Sequence, residues 1–207
     1  MIVMTDSATL HFQNAWKTFR SHPRVFVSSM LILFGSWAAL EVAVVALQRF
    51  GVVVWVILHL AFFVFFSGLM VGLHRMALET LDGKAPRLAN LIALLGRGPT
   101  FLLAFCIYSA GVVVGLVLLV VPGIYVAVRY ALFGQILATT STTAPQALRN
   151  TAALSEGRWW TLFPLLLMAL LLNLGGMAFL GLGLLITFPV SLLATSELYR
   201  SLRQPAQ

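Results

Sequence analysis

Apolar runs of bilayer-crossing length follow one another from Val25 to Leu198 with almost no charge inside them. A hydrocarbon core about 30 Å thick is crossed by roughly 20 apolar residues in a helix. Six segments answer to that description: Val25 to Leu47, Val52 to Leu73, Thr100 to Val121, Ile124 to Ala138, Trp160 to Leu174 and Met177 to Leu198. Lipid offers the backbone no hydrogen-bond partners, so each run must be helical. The expected fold is an all-α integral membrane bundle of six transmembrane helices, paired as three hairpins. Composition agrees, because 60% of the 207 residues are hydrophobic and 9% charged, where soluble domains carry about a quarter.

The breaks between runs are short. Gln48 to Gly51 separates the first two, Pro122 and Gly123 the next two, and Gly175 and Gly176 the last two. Proline and glycine interrupt helices most readily, so these pairs are the expected hairpin turns. The hairpins then cover 25–73, 100–139 and 160–199, with a tail over 200–207. The segment from Met1 to Arg24 lacks the basic start and apolar core of a secretory signal, which makes the first span an uncleaved one.

Thirteen Lys and Arg against six acidic residues give a formal charge of +7. In a soluble domain that excess would suggest nucleic acid, but its distribution points to a membrane instead. Lys17, Arg20, Arg24, Arg75, Lys84, Arg87, Arg97, Arg149, Arg158, Arg200 and Arg203 all fall on one side of the six-span scheme. The three turns on the other side hold Arg49 alone, and Arg129 lies inside the fourth span. Basic loops stay cytoplasmic, so both termini are expected there.

Three segments between hairpins are too polar to span. Ser7 is placed to cap a helix over 7–21 with Phe12, Trp16 and Phe19 on one face. Over 86–96, Pro86 suits a first turn, and Leu88, Leu91, Ile92 and Leu95 recur at helical spacing. Over 144–157, Thr143 and Gln146 have capping-box spacing ahead of Ala147, Leu148 and Leu154. Each reads as an amphipathic helix in the headgroup layer before a hairpin. Trp16, Arg24, Arg158, Trp159 and Trp160 are the expected interfacial anchors. Gly68 with Gly72, and Gly111 with Gly115, have the small-residue spacing that lets membrane helices pack closely, here within one chain.

The run Pro122, Gly123, Ile124, Tyr125, Val126, Ala127, Val128, Arg129, then Ala147, Leu148, and Glu156, Gly157, Arg158, Trp159, Trp160 carries a resemblance. So do Gly68, Leu69, Arg75, Gly83, Pro189 and Leu198 to Leu202. Together they resemble the membrane domain of bacterial glycerophosphoryl diester phosphodiesterases and its stand-alone relatives of unknown function. The resemblance implies a six-helix module in the bacterial cytoplasmic (inner) membrane. It does not imply an esterase, since that activity belongs to a separate soluble barrel whose His and carboxylates have no counterpart here.

Enzyme signatures are absent: no Gly-x-Ser-x-Gly, no His-Glu-x-x-His, no phosphate loop and no clustered Cys or His. The lone Cys106 excludes an internal disulfide. Glu79 and Asp82 read as solvated partners of Arg75 or Lys84. Ionisable groups inside spans are costly and normally meet a partner or a wet cavity. Glu41, His59 and Arg129 each lie roughly 10 Å from the outer end of their spans at a 1.5 Å rise per residue, and Asn173 is near the same level. The expectation is a Glu41–Arg129 pair completed by His59 or Asn173, which either staples helices or lines a path. Haem ligation by His59 would need a second histidine at that depth, and His11, His22 and His74 are on the cytoplasmic side. No metal or cofactor is expected, and no nucleic acid. The functional expectation is a noncatalytic accessory, scaffold or assembly module contacting membrane lipids or other membrane proteins. The alternative is a small transporter or channel working through Glu41, His59 and Arg129.

Overall fold

The computed structural model describes residues 2–178 and 181–203, and side-chain surroundings for 8–47, 49–178 and 181–203. Every regular element among them is helical: α1 (Ile2–Ser21), α2 (Pro23–Leu47), α3 (Val52–Leu81), α4 (Ala89–Ile92), α5 (Gly98–Leu118), α6 (Val120–Tyr130), α7 (Phe133–Thr139), α8 (Ala144–Ser155), α9 (Trp159–Ala178) and α10 (Leu184–Arg203). Among the described residues five helical stretches are long and apolar enough to cross a membrane: Pro23–Leu47, Val52–Leu81, Ala89–Leu118, Val120–Thr139 and Trp159–Ala178. In four of them only 17–22% of the most apolar window is buried. Water would not tolerate that much uncovered hydrocarbon, so these faces belong in lipid, and the chain is a helical membrane protein.

The sixth expected span, α10, is not among the five. It is 20 residues long, about 30 Å at the α-helical rise, so length is not the reason. Glu197, Arg200 and Arg203 in its second half lower its hydropathy, and Thr187, Ser191, Thr195, Tyr199 and Arg203 recur on it every fourth residue. The middle of that stripe is turned inward, because α10 packs on α1, α2, α3 and α9 and buries Val190 to Ala194 and Tyr199, with Thr195 part-buried between them.

The core lies toward the ends of the helices that carry the cationic segments. Phe26, Met30, Leu69, Leu73, Met76, Leu91 and Leu193 form one part of it, beside α1 and α10. Phe101, Val128, Leu132, Phe133, Leu137, Leu162, Leu165 and Leu198 form the other. At the far ends of the hairpins the apolar side chains are uncovered, with Val42, Val52, Val117, Val121 and Met177 all 64–80% exposed. Bundle packing is therefore tight in one half and open to lipid in the other.

The turns fall elsewhere than expected in two hairpins. The first is where the sequence puts it, with Gly51 at φ +84° before α3. In the second, the chain breaks at Leu119, which is extended (φ −162°, ψ 142°), and Pro122 and Gly123 lie in the first turns of α6. Proline is at home there because its missing N–H has no helical acceptor anyway. In the third, α9 runs through Gly175 and Gly176 to Ala178, and the reversal comes later, at Gly181 with φ +76°. A helix in hydrocarbon keeps its glycines, since breaking it would strand backbone groups in lipid.

The segments between hairpins also differ in detail. Helix α1 starts at Ile2, so Ser7 lies inside it rather than at its cap. The 86–96 helix is replaced by the single turn α4 and a 3-10 turn at Leu95–Arg97. Its backbone is drawn onto α3: a Cβ at Gly68 would lie 2.8 Å from Leu95 Cα, and one at Gly72 would overlap the Leu91 carbonyl. Helix α8 spans Ala144–Ser155, but Thr143 makes no capping bond, and Gln146 Nε2 donates to Asn150 Oδ1 instead, at 3.1 Å. The tail is helical through Arg203; its residues 204–207 lie outside the described residues.

Candidate functional site

The four polar residues expected to cluster are not bonded to one another. Glu41 is exposed and has no hydrogen bond or ion pair among the described residues. His59 Nδ1 donates to the Trp55 carbonyl at 2.9 Å and its ring lies on Trp55, 4.1 Å between centroids. Arg129 donates to Tyr125 Oη at 2.5 Å. Asn173 Nδ2 donates to Ala169 O at 2.9 Å and Ser191 Oγ at 3.1 Å. The Glu41–Arg129 pair is therefore not formed. Equal depth along two helices does not make them neighbours, and α2 packs on α3 and α10 whereas α6 packs on α5, α8 and α9.

What surrounds Arg129 is a groove between α5, α6 and α8. Its floor exists because α5 and α6 approach backbone to backbone at Gly115, where a Cβ would lie 2.7 Å from Gly123 Cα, and one turn earlier the bare Gly111 faces the Val126 side chain, 3.4 Å from where its Cβ would be. Helix α6 is fixed on its other side by an aromatic ladder. Tyr125 stacks on Trp159 at 5.5 Å and 20°, and Trp159 on Phe163 at 5.5 Å and 13°. The Arg129 guanidinium carbon sits 5.7 Å from the Tyr125 ring centroid. Helix α8 closes the third side, burying Ala147, Leu148 and Thr151 and turning Arg149 outward. The result is an open groove of about 660 Å³, lined by Ile107, Tyr108, Gly111 and Val126 below and by Arg129, Arg149 and Glu156 above. Ligand sites commonly measure roughly 300–1,000 Å³.

The interfacial anchors divide. Trp16 is 43% and Trp160 64% exposed, and Arg24 is exposed. Trp159 is half-buried within the ladder instead. Arg158 is exposed yet structural: it donates to the Leu154 and Leu202 carbonyls at 3.3 and 3.0 Å, closing the ends of α8 and α10.

Sequence reasoning overlooked a second polar feature, the seam along α10. Gln135, 2% exposed, donates from Nε2 to Thr195 Oγ1 at 3.2 Å. Thr139 Oγ1 and Tyr199 Oη share a bond of 2.9 Å, and Arg203 donates to the same phenol at 3.0 Å. The fourfold spacing of Thr187, Ser191, Thr195, Tyr199 and Arg203 was the signal available. Glu79 accepts from Arg75 Nε at 2.9 Å and from Asn90 Nδ2 at 2.6 Å. Asp82 pairs with Arg200 at 3.1 Å rather than with Lys84. Among the described residues no three His, Cys, Asp or Glu side chains are grouped to hold a metal ion.

No protein-family model, curated protein or solved structure matches the chain.

Proposed function

We propose that the protein is a noncatalytic membrane module, an accessory or assembly subunit that works by contacting lipid and other membrane proteins. In this reading it crosses a bacterial inner membrane six times, α10 being the shielded sixth span, and keeps both termini in the cytoplasm. The resemblance of its Pro122–Arg129 and Glu156–Trp160 runs to the phosphodiesterase membrane domain agrees with such a module. The observation that carries the reading is the uncovered first hairpin. Val42, Val45, Val52 and Ile57 are 59–71% exposed, and Glu41 beside them has no bonded partner among the described residues. A carboxyl on an apolar helix face is expensive in lipid, so that face is suited to a neighbouring protein. The transporter alternative rested on Glu41, His59 and Arg129 acting together, and those three make no bond to one another.

Photocrosslinking tests this. A benzophenone side chain at Val45 or Trp55, activated in native membranes, is expected to capture lipid and one recurring membrane protein at Glu41-dependent yield. Saturable solute flux, or turnover of a lipid, by the purified protein in liposomes would overturn the proposal.

A further inference from the structure

Arg129 and Arg149 come from α6 and α8 yet open into one groove. Arg149 has no bonded partner among the described residues, and Arg129 has only the Tyr125 phenol. Several other arginines are engaged in structure, Arg75 by Glu79, Arg97 by the end of α7 and Arg200 by Asp82, whereas Arg20, Arg24 and Arg87 are free among the described residues but line no such groove. A guanidinium carries five donors, so the two in the groove have most of theirs free, and Glu156 beside them contributes acceptor oxygens. Two cations against one carboxylate leave a single positive charge. Below these groups the wall is hydrocarbon, and it continues along one face of α5, where Ile107 is 43% exposed and Val114, two turns further on past Gly111, is 57% exposed.

We propose that this groove is a headgroup site for an anionic glycerophospholipid, phosphatidylglycerol in kind. The proposal rests on the lipid-contacting reading above and gives it an address. The phosphodiester lies between Arg129 and Arg149, where charge-assisted bonds are strongest, and its one negative charge cancels the surplus of the site. The glycerol hydroxyls donate to Glu156. An acyl chain runs down past Gly111 and Val126 to the exposed face of α5, where Gly111 leaves room for it. Phosphatidylcholine has no headgroup donor for Glu156 and no net charge, so it fits poorly. A free phosphate ester could meet the arginines but would gain nothing from the apolar floor.

The full chain, purified in a neutral detergent and titrated with defined lipids under native mass spectrometry, tests this directly. Phosphatidylglycerol is expected to bind about tenfold more tightly than phosphatidylcholine, the worth of roughly one charge-assisted bond. Arg149→Gln, at an exposed residue with no bonded partner among the described residues, should fold normally and bring the two lipids close to parity, as should Arg129→Gln. Gly111→Leu should weaken both lipids with the arginines intact. Equal binding of the two lipids by the unaltered protein overturns the proposal, as does a preference that survives the double Arg129→Gln, Arg149→Gln variant. Displacement of the lipid by millimolar glycerol 1-phosphate also overturns it, because the site would then read a soluble ester. Any of these leaves the membrane-module reading standing, while solute flux in liposomes would defeat that reading without altering the lipid titration.

Discussion

Asn14 Nδ2 donates to Glu197 Oε1 at 2.8 Å, joining α1 to α10 across nearly the whole length of the chain. His11 Nδ1 stands 3.8 Å from the other carboxyl oxygen, too far for a hydrogen bond. The Asn14 bond is thus the short polar link that seats the amphipathic α1 on the bundle, alongside the buried Ala8, Ala15 and Phe19. Glu197→Ala should lower stability by about 1–2 kcal/mol, the cost of leaving the part-buried Asn14 amide without its partner. Glu197→Gln, which keeps an acceptor for Asn14, should lower it less. Thermal unfolding in detergent separates the two, and equal losses would assign the effect to packing.

The α9–α10 reversal depends on bare backbone. A Cβ on Gly183 would lie 2.5 Å from the Gly176 carbonyl oxygen and 2.6 Å from its Cα, while one on Gly175 meets nothing within 4 Å. Gly183→Ala is therefore predicted to destabilise by about 1–3 kcal/mol. Gly175→Ala should be neutral or slightly stabilising, since alanine is the better helix former. Melting temperatures of the two variants, one clearly lowered and one not, check the placement of the turn.

Arg97 holds the end of α7, donating to Leu137 O at 2.7 Å, Thr140 O at 3.2 Å and Ser141 Oγ at 2.6 Å. Arg97→Ala should cost about 2–4 kcal/mol, because charged donors to carbonyls contribute about 1.5–3 kcal/mol each and partial rebonding to water offsets some of it. Arg97→Lys should recover less than half, lacking the planar fork that reaches two carbonyls and a hydroxyl at once. Full rescue by lysine in a denaturation series would show that charge alone matters.

Gln135 is buried, yet among the described residues its Oε1 has no partner and its side chain makes one bond, to Thr195, at a long 3.2 Å. Thr195 also donates to the Ser191 and Leu192 carbonyls of its own helix, both at 3.0 Å. Replacing glutamine by leucine removes an unsatisfied oxygen and strands nothing. Gln135→Leu is predicted to leave stability within about 1 kcal/mol of the parent or above it. A larger loss would mean that the seam is bonded more fully than its protein partners account for.

Much of the architecture was legible because hydrocarbon forces it. Apolar runs of spanning length must be helical, and every regular element among the described residues is a helix. The turns were harder to read. Pro122 and Gly175–Gly176 have the chemistry of breaks, but proline is accommodated in a first turn and glycine inside a lipid-embedded helix, so the chain reversed at Leu119 and Gly181 instead. The site was half visible: Arg129 stood out as a charge in a span, and its depth was mistaken for proximity to Glu41. Its true neighbour, Arg149, sits on α8 and looked like any solvated cation. Only the packing of α5, α6 and α8 through Gly111, Gly115 and Gly123 brings the two arginines to one groove. The shielding of α10 was equally hidden, because hydropathy weighs composition and not which neighbours cover a polar stripe.

Six crossings, with the segments around Lys84, Arg149 and Arg200 on one face and the three short turns on the other, form the central claim. In a Cys106→Ser background, single cysteines at Lys84, Asn150 and Ser201 and at Phe50, Leu119 and Leu182 can be probed in intact cells with a membrane-impermeant maleimide. The last three are predicted to label at once, and the first three only after the membrane is opened. Labelling of Asn150 from outside, or protection of Leu182 to the same degree as Ser201, would contradict it.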